Sequence, residues 1–277
     1  MKKLLLISTF LVMLFASALT FAVDIGVVLP TNVEPRWVQD ETRFKEALKD
    51  TKYTVEILFS QGSPATERQN VEALVAKGAK VIIICPHDAV AAAASAEVAK
   101  KAGAYVISYD RLIMGTDAVD YYVTFDSVEV GKAWGNFLIQ NVKKGTKGNP
   151  LYLYAGALSD NNSFLFFQGA WEALQPKIFD GTFRVINSSE AVKLMNKKNL
   201  TRDEMARIIG QVTTNWDFNV AKRKAEDDLT KAKTTDKGTV YILAPNDGTA
   251  RAIADAFRAD KAVKQYFITG QDAEKAS

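Results

Sequence analysis

Acids, amides and arginines gather in short segments of the chain: TNVEPRW (31–37), PHD (86–88), Asp110-Arg111, SDNN (159–162), PNDG (245–248) and QDAE (271–274). Planar carboxylate, amide and guanidinium groups can each reach two neighbouring hydroxyls, and a sugar hydroxyl both donates and accepts. The apolar C–H face of a pyranose packs on aromatic rings, and Trp37 and Trp216 are candidates for that contact. Each residue also has a plain structural use. Trp37 can be a core or staple residue at a helix start, and Asp110, Asn161, Asn162 and Asp247 suit caps and turns. What weighs against those uses is recurrence of polar groups after one apolar run after another.

Other chemistry fits less well. His87 is the only histidine, so neither a histidine metal cluster nor a histidine proton relay can form. Gly-rich phosphate loops of the Walker or dinucleotide type are absent, and GALSDNNS lacks the glycine pattern of a nucleophile elbow. A carboxylate pair such as Asp110 and Asp247 keeps glycoside hydrolysis open, since the separation that decides it is not a sequence property. Asp110 and Arg111, side by side, supply an acceptor and a donor to adjoining hydroxyls, or hold each other in place.

The elements that must position these groups are legible. Short β-rich runs at 24–30, 54–60, 80–85, 105–110, 121–125, 151–156, 183–188, 239–244 and 266–270 alternate with helical patterns at 36–49, 65–77, 88–102, 127–143, 163–175, 219–233 and 247–259. That alternation predicts an α/β fold of βαβ units with parallel sheets. The rhythm breaks near 121–127, which divides the chain into two Rossmann-like lobes, 23–125 and 126–277. In open α/β sheets ligands bind beyond the carboxyl ends of the strands, where the polar segments fall. Residues 189–213 are longer and more charged than a βα connection needs and read as one or two extra surface helices. The chain stops seven residues after Gly270, as its last strand ends, and so reads as lacking its C-terminal part.

Lys2 and Lys3 precede the uncharged stretch Leu4 to Leu19, and Thr20-Phe21-Ala22 offers a small-x-small cleavage site, so residues 1–22 read as a signal peptide. The stretch of 16 residues falls short of the roughly 20 that span a bilayer. That segment holds two lysines, and without them the formal charge falls from +3 to +1, with no nucleic-acid footprint. Cys85, the single cysteine, lies in VIIIC and reads as a buried core residue without a disulfide.

Taken in order, GVVLPT with PRW, RQNVEALVAKGAKVIIICPHD, VISYDRLI, YYVTFDSVEVG, SDNNSFLFFQGAW, NWD, LAPNDGTA and ITGQDAE resemble the periplasmic monosaccharide-binding proteins of ABC transporters, in the xylose-, glucose- and galactose-type branch. The resemblance implies a type I periplasmic binding protein fold with the ligand cleft between the lobes. It implies Arg36, Trp37, Asp110 and Arg111 as the first lobe's share of the site, and Asp160, Asn161, Asn162, Trp216, Asn246, Asp247 and Asp272 as the second's. Trp37 and Trp216 would sandwich the sugar, Phe166 or Phe164 would edge the pocket, and Trp171 would be core. Val33-Glu34-Pro35 departs from the family, which usually has a basic residue there, and puts one sugar contact in doubt.

The function implied is capture of xylose or glucose by hinge closure in the periplasm, for a membrane permease, by a monomer with neither cofactor nor metal and no catalysis. A second role with a chemoreceptor stays open. The alternatives are a sugar-active enzyme and the effector domain of a repressor, which would need a helix-turn-helix at its N-terminus.

Overall fold

The computed structural model describes residues 22–275, so the predicted signal peptide lies, Ala22 apart, outside the described residues. In the first lobe β1 (Ile25–Leu29), β2 (Val55–Phe59), β3 (Val81–Ile84), β4 (Tyr105–Tyr109) and β5 (Tyr121–Val123) form one parallel sheet in the order β2-β1-β3-β4-β5. It is connected by α1 (Pro35–Leu48), α2 (Pro64–Ala76) and α3 (Ala93–Lys101). Strands of parallel sheets are covered on both faces, which is why β1 reads as a continuous apolar run. Val28 packs with Leu74, Ile82, Ile84 and Val106 on one face. Its neighbours Val27 and Leu29 pack with Trp37 and Cys85 on the other. Cys85 is a fully buried free thiol.

The second sheet holds β6 (Asn149–Leu153), β7 (Phe183–Val185), β8 (Gly238–Leu243) and β9 (Val263–Ile268), parallel and in the order β7-β6-β8-β9. Around it lie α4 (Ser127–Gln140), α5 (Asn161–Phe179), α6 (Ser189–Lys193), α7 (Arg202–Val212), α8 (Phe218–Lys231) and α9 (Asp247–Ala259). Helices α4 and α5 meet backbone to backbone at two glycines. A Cβ on Gly131 would lie 2.0 Å from the Phe166 carbonyl oxygen, and one on Gly169 would lie 1.9 Å from that of Val128. Only glycine permits that approach. It sets Phe166 and the N-terminus of α5 against the end of the first sheet.

Two expectations need correction. The helix expected at 88–102 starts only at Ala93. The Asp88 carboxylate accepts from Val90 and Ala91 N–H, and the Ala89 carbonyl accepts from Met114 N–H, so residues 88–92 spend their polar groups on a turn and on loop contacts. The extra helices expected on the surface at 189–213 are α6 and α7, and α7 is a core element. It buries Met205, Ile208, Ile209 and Val212 in the main cluster of the second lobe. A capping box starts it: Thr201 Oγ1 accepts from Glu204 N–H, and Glu204 Oε2 accepts from Thr201 N–H at 2.8 Å. The charges that made the segment look superficial occupy its outer face.

Candidate functional site

Pro35 at the first position of α1 fixes where the helix begins, which places Arg36 and Trp37 in its first turn beyond the end of β1. The Arg36 guanidinium reaches two acids from different sheets: Nη2 lies 2.6 Å from Asp110 Oδ2, and Nη1 lies 2.8 Å from Asp272 Oδ1. Nε lies 3.5 Å from Asp40 Oδ2, one turn along α1. Burial opposes the positive charge, but Asp110, Asp272 and Asp40 outweigh it and hold the pKa above the usual arginine value.

Asp110 has a left-handed backbone, φ 62°. A non-glycine residue persists there only when its surroundings over-determine it. Its N–H donates to the Val123 carbonyl at 2.8 Å. Its carbonyl accepts from Tyr122 Oη (3.1 Å), Thr124 Oγ1 (2.9 Å) and Asn162 Nδ2 (3.2 Å). The turn aims the two adjacent charges apart. Asp110 faces Arg36, whereas Arg111 runs to Asp160, with Nε 3.0 Å from Oδ2. Asp110 and Arg111 therefore take separate partners and do not form an ion pair with each other.

Asp160 is the N-cap of α5, its Oδ1 accepting from Asn162 N–H at 2.9 Å while Oδ2 faces Arg111. Burial raises its pKa, and the Arg111 charge opposes the rise. Asn162 bridges the sheets: its amide donates to Asp110, and its oxygen accepts from Ser127 Oγ at 3.1 Å. Asn246 caps α9 through Thr249 N–H. Burial above all, with a smaller contribution from the nearby Asp110 charge, lifts Asp272 from 3.8 to about 6 against the pull of Arg36.

These groups line one small, partly open pocket between the two sheets. Ten of the residues singled out in the sequence line it: Arg36, Trp37, Asp110, Arg111, Asp160, Asn162, Phe166, Trp216, Asn246 and Asp272. Both tryptophans are brought to it and buried, and the Arg111 guanidinium lies 5.2 Å from the Trp37 ring centre and 5.8 Å from that of Trp216. Each indole Nε1 is buried without a well-formed hydrogen bond, although Trp37 stands near enough to Glu34, and Trp216 to Asp160, to favour the charged carboxylate. Phe166 stacks on Phe125, with ring centres 5.9 Å apart, and both edge the cavity. Trp171 is core, its Nε1 donating to the Lys197 carbonyl.

Two expected residues fall outside the lining. Asn161 points away from it and accepts from Arg202 Nη1 at 2.9 Å, because successive residues at a helix start project in different directions. Asp247 holds the last loop, its Oδ2 accepting from Glu274 N–H at 3.0 Å, and it borders an outer cavity beside Gln271. Phe125, Pro245 and Glu34 line the inner cavity without having been singled out. Glu34 had a signal, its place in the strand-end segment TNVEPRW, but an acid where the family usually has a basic residue spoke against a sugar contact there. Burial raises its pKa from 4.5 to about 6, against the nearby Arg111 charge. Among the described residues no group of three or more His, Cys, Asp or Glu is placed to hold a metal ion. The arrangement places acceptors and donors from both lobes around one small space edged by aromatic rings, which suits recognition of a ligand rich in hydroxyls.

A model of the periplasmic binding protein domain matches residues 25–277. The multiple sugar-binding periplasmic protein SbpA of Azospirillum brasilense is 28% identical over 259 residues, spanning 91% of this chain and 68% of that protein. The D-xylose-binding periplasmic protein of Escherichia coli is 25% identical over 273 residues, 99% of this chain and 74% of that protein. A carbohydrate transporter solute binding protein from Chloroflexus aurantiacus, solved in complex with D-glucose, superposes with a TM-score of 0.89. It is 70% identical, and the match covers 92% of this chain and 74% of that one.

Proposed function

The chain belongs to the periplasmic binding protein domain family, and from that premise we propose that it captures a monosaccharide, glucose or xylose, in the periplasm and delivers it to an ABC-transporter permease. The observation that carries this reading is a pocket whose acids, amides and arginines come from both sheets at their strand carboxyl ends, with Trp37 and Trp216 beside them. Glucose in the 70% identical relative and xylose in the name of the E. coli relative support the choice of sugar.

In this reading the bodies that move are the lobes 23–125 and 126–277. Among the described residues the polar contacts that cross between them include Arg36 to Asp272, Arg111 to Asp160, Asn162 to Asp110, and Ala89 N–H to the Ser159 carbonyl, and the Phe125 and Phe166 rings stack across the same boundary. A sugar whose hydroxyls pair with both sets of groups binds the closed arrangement better than an open one and shifts the population toward it. The acids and arginines bind and orient hydroxyls; no bond is made or broken. In this reading the protein acts as a monomer.

Calorimetric titration with glucose, xylose, galactose, arabinose and ribose tests the reading. A dissociation constant near micromolar, about −8 kcal/mol, is expected for glucose or xylose. Absence of heat and of tryptophan fluorescence change with all five sugars would overturn it.

A further inference from the structure

We propose that Glu34 is a charge filter at the threshold of the sugar cavity, through which the protein takes neutral sugars and amino sugars and turns away sugar acids. The inference rests on the sugar-binding reading and adds to it a residue that selects among sugars by charge.

The position of Glu34 is the first ground. It lines the inner cavity and also a larger, open cavity beside it in the cleft, and only Arg111 and Trp216 share that double placement. A substituent on a sugar held in the inner cavity therefore meets Glu34 where it projects toward the cleft.

The charge balance is the second. Glu34, Asp110, Asp160 and Asp272 face two cations, Arg36 and Arg111. Both cations are already engaged, Arg36 by Asp110 and Asp272, and Arg111 by Asp160. Glu34 joins none of these ion pairs. Among the described residues no lysine lines either cavity, and the outer one adds only Asp217 and His87 as titratable groups. Asp217 is occupied as the cap of α8, and burial with the Arg111 charge lowers the His87 pKa and so favours its neutral form. A ligand carboxylate would meet an acid-rich, buried site without an unspent cation. A ligand ammonium would supply the missing positive charge.

The third ground is that Glu34 has no evident structural task. It occupies the N-cap of α1, yet its side chain makes no cap hydrogen bond, so the helix start does not depend on the carboxylate. Its approach to the Trp37 indole likewise stops short of a well-formed hydrogen bond. A carboxylate buried without such a task is costly to keep and points to use by a ligand.

The test is calorimetry of the full chain at pH 7 and low salt with glucose, glucosamine and glucuronate, for the native protein and for Glu34→Gln. Because Glu34 faces the cavity, the readout is the ratio of affinities within each protein. Glucuronate is expected to bind at least ~100-fold more weakly than glucose to the native protein, and Glu34→Gln to narrow that gap by roughly 10-fold while weakening glucosamine relative to glucose. Native protein that binds glucuronate within tenfold of glucose overturns the filter, as do ratios that Glu34→Gln leaves unchanged. Glucose failing to bind would instead overturn the sugar-binding reading, and the filter with it.

Discussion

Arg111 Nε lies 3.0 Å from Asp160 Oδ2, and both side chains are almost fully buried. The pair joins the end of β4 in one sheet to the cap of α5 beside the other, so each charge depends on the opposite lobe for its partner. Burying two charges is costly, and the pair offsets that cost only while it is intact. The ion pair that shapes the cavity is thus also a latch between the lobes.

Removing one side of the latch leaves the other as an uncompensated buried charge. Arg111→Ala and Asp160→Ala are each expected to destabilise the folded protein by about 3–5 kcal/mol. The double variant should lose much less than the sum, because residues in direct contact couple. Scanning calorimetry on the three variants checks this, and additive losses would show that the two side chains act independently.

Asp110→Asn keeps a residue type that tolerates the left-handed backbone, φ 62°, but removes the charge facing Arg36. Loss of a charge-assisted contact to a sugar hydroxyl is expected to cost roughly 1.5–3 kcal/mol of affinity. Unchanged affinity for both glucose and xylose would remove Asp110 from the site. Thermal unfolding of the same variant should move little if the backbone conformation is retained.

Gly156 has no side chain because the Trp216 ring occupies the space: an added Cβ would lie 2.0 Å from Trp216 Cζ2. Gly156→Ala should displace the indole and destabilise the packing by about 1–3 kcal/mol. Sugar-induced change in tryptophan fluorescence should fall with it. A variant that binds and reports like the native protein would place Trp216 outside the recognition surface.

Glu67, 1% exposed, accepts from His87 N–H at 3.0 Å, and burial lifts its pKa from 4.5 to about 7. Since the folded value is the higher one, the folded state binds the proton more tightly. The resulting stabilisation is complete below about pH 4.5 and is lost as pH rises through about 7. Glutamine stays neutral throughout. Glu67→Gln is therefore expected to gain about 3 kcal/mol relative to the native protein between pH 4.5 and pH 8. Urea unfolding at the two pH values measures it, and a constant difference between the two proteins would refute the assignment.

Much of the frame was legible because its causes are local. Apolar runs such as VVL and VIII mark strands buried on both faces, and Pro35 or the Thr201 to Glu204 box marks where helices start. Less legible was α7, whose outer charges concealed the buried face of Met205, Ile208, Ile209 and Val212. Asn161 and Asn162 look alike in sequence, yet one faces Arg202 and the other Asp110.

By itself the sequence determined the alternation of strands and helices, and placed acids, amides and arginine at the carboxyl ends of the strands, because both follow from short-range pattern. Tertiary structure alone decided which charges meet. Arg36 faces Asp110 and Asp272, Arg111 faces Asp160, and Glu34 is left outside those pairs. The reason is physical: pairing depends on distances between two sheets and on one left-handed residue that turns neighbouring side chains apart, and neither is encoded in spacing along the chain.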